Sequence, residues 1–233
     1  MRYSTSHSFV KVKYHFLTYR NIFSDYSPTS PTSTRDDSLV TYGTLDVLET
    51  TNLTNHLLIA MPNLLDPHFY QTVAYICMHN EGGAMGIVIN RAMNVELGAV
   101  LEHMQIEVTA PSANSLAIYE GGPVQRERGF VIHRPAGKWD AMLTLDHDIG
   151  ITTSRDVLNA IATGKGPEQV LIALGYAGWG AGQLERELSE NAWLTTPVDL
   201  DIMFNTPIHK RWQAAAARLG VDLMLISSEA GHG

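Results

Sequence analysis

Thr72 to His79 (TVAYICMH) and Ala84 to Ile89 (AMGIVI) are two strand-length runs that are apolar at odd and even positions alike, separated by Asn80-Glu81-Gly82-Gly83. A strand with one face in water alternates apolar with polar residues. Two strands without that alternation, joined by a glycine-containing hairpin turn, require a central place in a sheet covered on both faces. A chain of 233 residues with 45% hydrophobic and 17% charged residues has enough apolar side chain to build such covers.

The flanking segments supply them. His56 to Ala60 (HLLIA) reads as a short buried strand stopped by Met61-Pro62, and Asp66-Pro67 offers an N-cap with proline at the first position of a single helical turn. Val95 to Met104 places apolar residues at 97, 100, 101 and 104, one face of a helix. Short strands follow at Leu116–Tyr119, Gly129–His133, Met142–Leu145 and Ile149–Thr152. Ser154 then caps a helix that turns Val157, Leu158 and Ile161 inward and ends at Gly164. Val170 to Leu174 is a buried strand, Gln183 to Asn191 a helix, and Thr206-Pro207 opens a last helix ending at Gly220 before a final strand, Val221 to Ile226. Strands in series and then helices between strands predict an α+β fold with a mixed sheet, not a regular doubly wound one.

Between the strand ending at Leu174 and the helix from Gln183 lies GYAGWGAGQLE, Gly175 to Glu185, with glycines at 175, 178, 180 and 182 around Trp179. Glycine permits positive φ and close backbone approach, so the spacing predicts a tight strand-to-helix corner. Two readings stand. A glycine turn feeding a helix N-terminus is an anion cradle in dinucleotide-binding folds; more broadly, Gly178, Trp179 and Gln183 are the loop's candidate functional residues and, with Cys77 and His79, would centre a thiol-dependent redox or small-ligand-binding protein. The spacing is nevertheless G-x-x-G-x-G-x-G, and Trp179 occupies the space a phosphate needs, which favours an architectural corner. No Walker A pattern accompanies it.

The second candidate is the single cysteine, Cys77. In a regular strand Cys77 and His79 project to the same face, and a nearby imidazolium would favour the nucleophilic thiolate. The alternative is a packed, inert thiol. One cysteine excludes an intramolecular disulfide and suits a reducing, cytoplasmic location. The histidines show no compact metal-ligand spacing and no serine stands in a nucleophile elbow, so no metal, cofactor or catalytic set is expected and the pattern leans away from an enzyme.

Residues 1–51 differ from the rest. Ser24 to Thr54 is crowded with Ser, Thr, Pro and Asp and has no sustained period, as in a linker. Residues 1–35 carry five basic side chains against one acidic, +4; residues 36–51 carry four acids and no base; residues 52–233 carry 11 basic against 19 acidic, −8. We read 1–51 as a low-order extension, with the composition of an organelle transit segment or of a plain tail, and 52–233 as one domain.

Six blocks, NHLLIAMP (55–62), ICMHNEGGAMGIVINR (76–91), EGGPV (120–124), GFVIH (129–133), ITTSRD (151–156) and GYAGWGAGQLE (175–185), together resemble the AlgH/YqgE family of bacterial proteins over about residues 52–226. The resemblance implies a compact α+β domain whose mixed sheet, partly closed into a barrel, is surrounded by helices. It also implies proteins labelled transcriptional regulators whose biochemical activity is not established. Family members typically begin near Leu53, so the extension departs from the pattern. The acidic domain shows no clear basic face: Arg126, Arg128, Arg134 and Lys138 form one candidate group, Lys210, Arg211 and Arg218 another. Direct nucleic-acid binding is therefore disfavoured and regulation through a protein partner expected. No apolar run reaches the roughly 20 residues of a membrane span.

Overall fold

The computed structural model describes residues 52–223, so residues 1–51 and 224–233, and with them the extension and most of the expected last strand, lie outside the description. The strands are β1 (His56–Ala60), β2 (Val73–Asn80), β3 (Gly83–Val88), β4 (Ala92–Glu96), β5 (Ala117–Glu120), β6 (Val124–Arg134), β7 (Met142–Leu145), β8 (Ile149–Thr152), β9 (Gln169–Gly180) and β10 (Trp193–Pro197). The helices are α1 (Leu97–His103), α2 (Arg155–Ala162), α3 (Gln183–Ser189) and α4 (Arg211–Ala217). The main path of the sheet runs β10-β1-β2-β3-β9-β6-β8-β7, with β5 also beside β9 and β4 beside β5. The β5–β9 pair is parallel and the other pairs among the described residues are antiparallel, so the sheet is mixed, curling as a half-barrel among helices.

The unalternating strands lie where their composition demands. Tyr75 and Ile87 face a core shared with Leu57, Phe130, Ile132 and Trp212 of α4. Ala74, Ile76 and Val88 face the other way, against Leu184 of α3, Trp179 and Trp193. A third cluster packs Leu97 and Leu101 of α1 and Val157 and Leu158 of α2 onto Val131, Ile172 and Leu174. Full burial of each such aliphatic chain stabilises the fold by roughly 1.5–3 kcal/mol, which is why the helices settle on these faces.

Several local expectations are met in detail. Asp66 accepts from the His68 N–H through its side chain (2.7 Å) and from the Tyr70 N–H through its carbonyl (2.8 Å), making the expected single turn. Others are corrected. Ser154 stands at the N-cap of α2, yet its hydroxyl bonds sideways to Thr152 Oγ1 (2.8 Å) and to the Asp156 carboxylate, which itself accepts from the Asp140 and Val157 N–H groups. The ITTSRD block is thus a polar latch between the 140 loop and α2. Val221 and Asp222 are not in a strand and Leu223 is helical.

The larger correction concerns the glycines. There is no strand-to-helix corner at Gly175, because β9 continues through Gly180: residues 169–174 pair with β6 and residues 177–180 with β3. Gly175, at φ +74°, bends the strand between its two partners. There it crosses the EGGPV block at backbone contact, with Gly121 N–H donating to the Leu174 carbonyl at 2.8 Å. A Cβ on Gly122 (φ +151°) would lie 2.2 Å from the Tyr176 carbonyl carbon, and one on Gly175 would lie 2.4 Å from the Gly122 oxygen. Two of the six sequence blocks are therefore one feature, a crossing that only glycine fits.

Candidate functional site

The β2–β3 hairpin ends in a two-residue turn, Glu81-Gly82, with Asn80 paired to Gly83 and the Asn80 side chain accepting from the Gly82 N–H at 2.8 Å. Below it, β2 is irregular: Ile76 pairs with Gly86 but Met78 with Met85, an extra residue at Cys77. That bulge reverses the alternation of side chains. Cys77 stays on the face of Tyr75, 1% exposed in the core, while His79 turns to the opposite face, towards α3. The expected thiol–imidazole pair is thus divided by the sheet. Burial pushes the Cys77 thiol well above its ordinary value, and its Sγ lies 3.5 Å from the Tyr75 carbonyl.

His79 is 4% exposed and engaged on three sides. Its Nδ1 accepts from the Leu53 N–H at 3.0 Å, which makes Nε2 the protonated nitrogen, and Nε2 donates to Glu185 Oε1 at 2.7 Å. Its own N–H donates to Thr54 Oγ1 at 3.0 Å. Its imidazole therefore ties the Leu53 backbone to α3. Glu185 is 36% exposed. Its own backbone N–H, and after it His79, hold the carboxyl below its ordinary value against partial desolvation.

Trp179 and Gln183 meet at a residue that the sequence did not single out. Glu187 Oε2 accepts from Trp179 Nε1 (2.9 Å) and from Trp193 Nε1 (2.8 Å), while Oε1 accepts from Gln183 Nε2 (2.8 Å). Gln183 Oε1 in turn accepts from the Gly180 N–H at 3.0 Å. The Gly180 N–H of the glycine stretch is therefore satisfied from within. Phe69 completes the group, with its ring centroid 5.5 Å from Trp193 and 6.2 Å from Trp179.

Two clefts flank the hairpin tip and share Asn80 and Gly82. One, of about 830 Å3, is lined by Asn52, His79, Asn80, Glu81, Gly82, Gly182 and Glu185. The other, of about 650 Å3, runs beside Met78, Met85, Gln125, Tyr176, Gly178, Trp179 and Gly180. Cys77 lines neither cleft. No group of three or more His, Cys, Asp or Glu side chains among the described residues is placed to hold a metal ion. No helix among them is long and apolar enough to cross a membrane.

A family model described as AlgH-like matches residues 57–224. The chain belongs to the AlgH-like family. The UPF0301 protein of Thioalkalivibrio sulfidiphilus is 60% identical over 181 residues, 78% of this chain and 97% of that one. The UPF0301 protein of Nitrosococcus oceani is 54% identical over 178 residues, 76% and 95% of the two chains. The solution structure of the AlgH protein from Pseudomonas aeruginosa, 52% identical, superposes with a TM-score of 0.65 over 79% of this chain and 97% of that one. A crystal structure from Corynebacterium diphtheriae, 21% identical with a TM-score of 0.59, shares the fold.

In this AlgH-like chain the candidate residues divide by location. His79 lines the larger cleft, Gly178 and Trp179 the smaller, Gln183 joins the Glu187 network behind them, and Cys77 is sealed in the core. Glu187 was legible only as the residue four positions after Gln183 on one helix face; its two indole donors come from other elements.

Proposed function

We propose that this AlgH-like chain is a cytoplasmic, non-enzymatic regulator that works by docking a partner protein, one presenting a cationic segment, in the cleft between the hairpin tip and α3. The observation that carries this reading is the lining of the cleft: Glu81 and Glu185 face it, polar Asn52 and Asn80 flank them, and no lysine or arginine lies among them. Such a site attracts ammonium and guanidinium groups and repels phosphate.

The basic residues elsewhere support the same choice of partner over DNA. Arg126 is paired with Glu120 and Arg218 with Asp199 (3.0 Å); Arg134 donates to the His147 carbonyl at 3.0 Å. Arg211 is buried over the Tyr119 ring, its guanidinium donating to the Thr206 and Ile89 carbonyls. Groups so engaged are poorly placed to replace counterions along a duplex.

The test uses residues 52–233 as bait, since the Pseudomonas aeruginosa relative folds over the matched part alone. Wild-type bait should retain from extract a protein that the Glu81→Gln/Glu185→Gln variant loses, and neither should shift random-sequence duplex DNA. Identical proteins on both baits, or retarded DNA, would refute the reading.

A further inference from the structure

We propose that residues 135–141, the segment between β6 and β7, form a lid that opens when His133 beneath it takes up a proton. The site shares no residue with the partner-docking cleft, and the inference does not depend on that reading. His133 projects from β6 with no exposed surface. Its ring lies against the backbone of Gly150 opposite on β8, where a Cβ would come within 2.2 Å of the imidazole. The Trp139 ring of the lid stands nearly perpendicular to it, with centroids 6.2 Å apart. Nδ1 donates to the Pro135 carbonyl at 3.0 Å, which leaves Nε2 as the bare nitrogen of the neutral ring. No described residue offers Nε2 a hydrogen bond, and none accepts from the Trp139 indole N–H. The indole is therefore held over the imidazole by packing, not by a polar contact.

What fastens the lid is a pair of carboxylates. Asp148, in the turn after β7, accepts from the Ala136 N–H at 3.1 Å, and Asp156 of α2 accepts from the Asp140 N–H at 3.0 Å. The same two carboxylates are the charged groups that act on His133. Around the rest of the ring, β8 and β9 set Gly150 and Val170 opposite it, Arg134 is engaged with the His147 carbonyl, and Lys138 and Asp140 of the lid are exposed.

A proton on Nε2 thus places two demands on one set of oxygens. The buried imidazolium needs a counter-charge and an acceptor, and the carboxylates that can supply both are holding the N–H groups of the lid. Lifting the lid lets water serve the ring instead. Burial holds the imidazole below its ordinary value of 6.5, outweighing the opposite pull of the Pro135 carbonyl, Asp148 and Asp156. The closed form therefore binds fewer protons than the open one, so closure is fully favoured above that ordinary value and weakens as pH falls below it. With the open ring titrating at its ordinary value, the ratio of open to closed lid rises by at most about 30-fold between pH 7.5 and pH 5.

Hydrogen exchange of the full chain at pH 7.5 and pH 5, corrected for the intrinsic rate at each pH, tests the lid. The amides of 136–141 should lose protection about tenfold at the lower pH, while those of β2 and β3 keep theirs. In NMR spectra the His133 ring resonances should titrate with the same midpoint as the lid amides. His133→Asn keeps a donor for the Pro135 carbonyl and cannot take the proton, so the pH response of its lid should vanish. Asp148→Asn keeps an acceptor for the Ala136 N–H and suits the φ of 59° at that position. With one counter-charge gone, its midpoint should move down by about half a pH unit. Lid exchange that does not change with pH, an equal response in His133→Asn, or protection lost over the whole sheet would overturn the proposal. Separate midpoints for the His133 ring and the lid amides, or an unmoved midpoint in Asp148→Asn, would overturn it whether or not His133→Asn folds.

Discussion

Replacing Glu187 by alanine removes one carboxylate and strands two buried indoles. In the folded protein Trp179 is 5% and Trp193 3% exposed, and both donate to the same oxygen, at 2.9 and 2.8 Å. A buried donor left without an acceptor costs about 1–3 kcal/mol, so the pair sets a range of about 2–6 kcal/mol. Two effects pull the value down: alanine gains about 0.4 kcal/mol in helix propensity, and Glu187 is only partly buried, so water can reach one indole. We expect a loss of about 3 kcal/mol. With a urea m-value of about 2.5 kcal/mol/M for a domain of this size, the midpoint should fall by about 1 M at unchanged m. Circular dichroism is the primary readout, because two of the four tryptophans change environment and distort fluorescence. Glu187→Gln keeps one acceptor oxygen and should lose about half as much. An alanine variant within about 0.5 kcal/mol of wild type, or a glutamine variant equally damaged, would show that the indoles do not depend on this carboxylate.

The crossing of the two glycine blocks predicts an asymmetry: Gly122→Ala should cost upwards of about 4 kcal/mol or abolish soluble expression, while Gly178→Ala, whose Cβ meets nothing nearer than 3.4 Å, should stay within about 1 kcal/mol of wild type in urea melts. Cys77 should react with a thiol-specific disulfide reagent near neutral pH about 100-fold more slowly in the folded protein than in urea; comparable rates would contradict its burial. The Glu185 carboxyl titrates below its ordinary value of 4.5 in the fold, so its stabilisation is present above that value and lost as pH falls through the lower folded one. Wild type should therefore exceed Glu185→Gln in urea midpoint near neutral pH and converge with it in acid; a gap independent of pH would refute a charge-assisted contact with His79.

The placement of β2 and β3 was legible because a strand apolar on both faces has one stable environment, between two covers. The bounds of β1 were legible to the residue, since Met61-Pro62 cannot extend a ladder. β4 and β10 were not. AMNVE in β4 turns only Met93 and Val95 inward, and only to half burial, and WLTTP in β10 ends in proline; both are strands because β5 and β1 offer them edges. The bulge at Cys77 was hidden for the very reason that made β2 conspicuous. In a run with no polar–apolar contrast, a one-residue insertion leaves no mark on the pattern, so Cys77 and His79 read as neighbours when the sheet divides them.

Local composition by itself therefore determined what each segment could become: two central strands, amphipathic helices, and glycines where side chains would not fit. Tertiary structure alone decided what those segments meet. Gly175 bends against Gly122, 53 positions earlier in the chain; Glu187 joins indoles from β9 and β10; His79 faces Glu185 rather than Cys77. Such partners are chosen by register and crossing, which depend on contacts between residues far apart in the chain, and no short-range period records them.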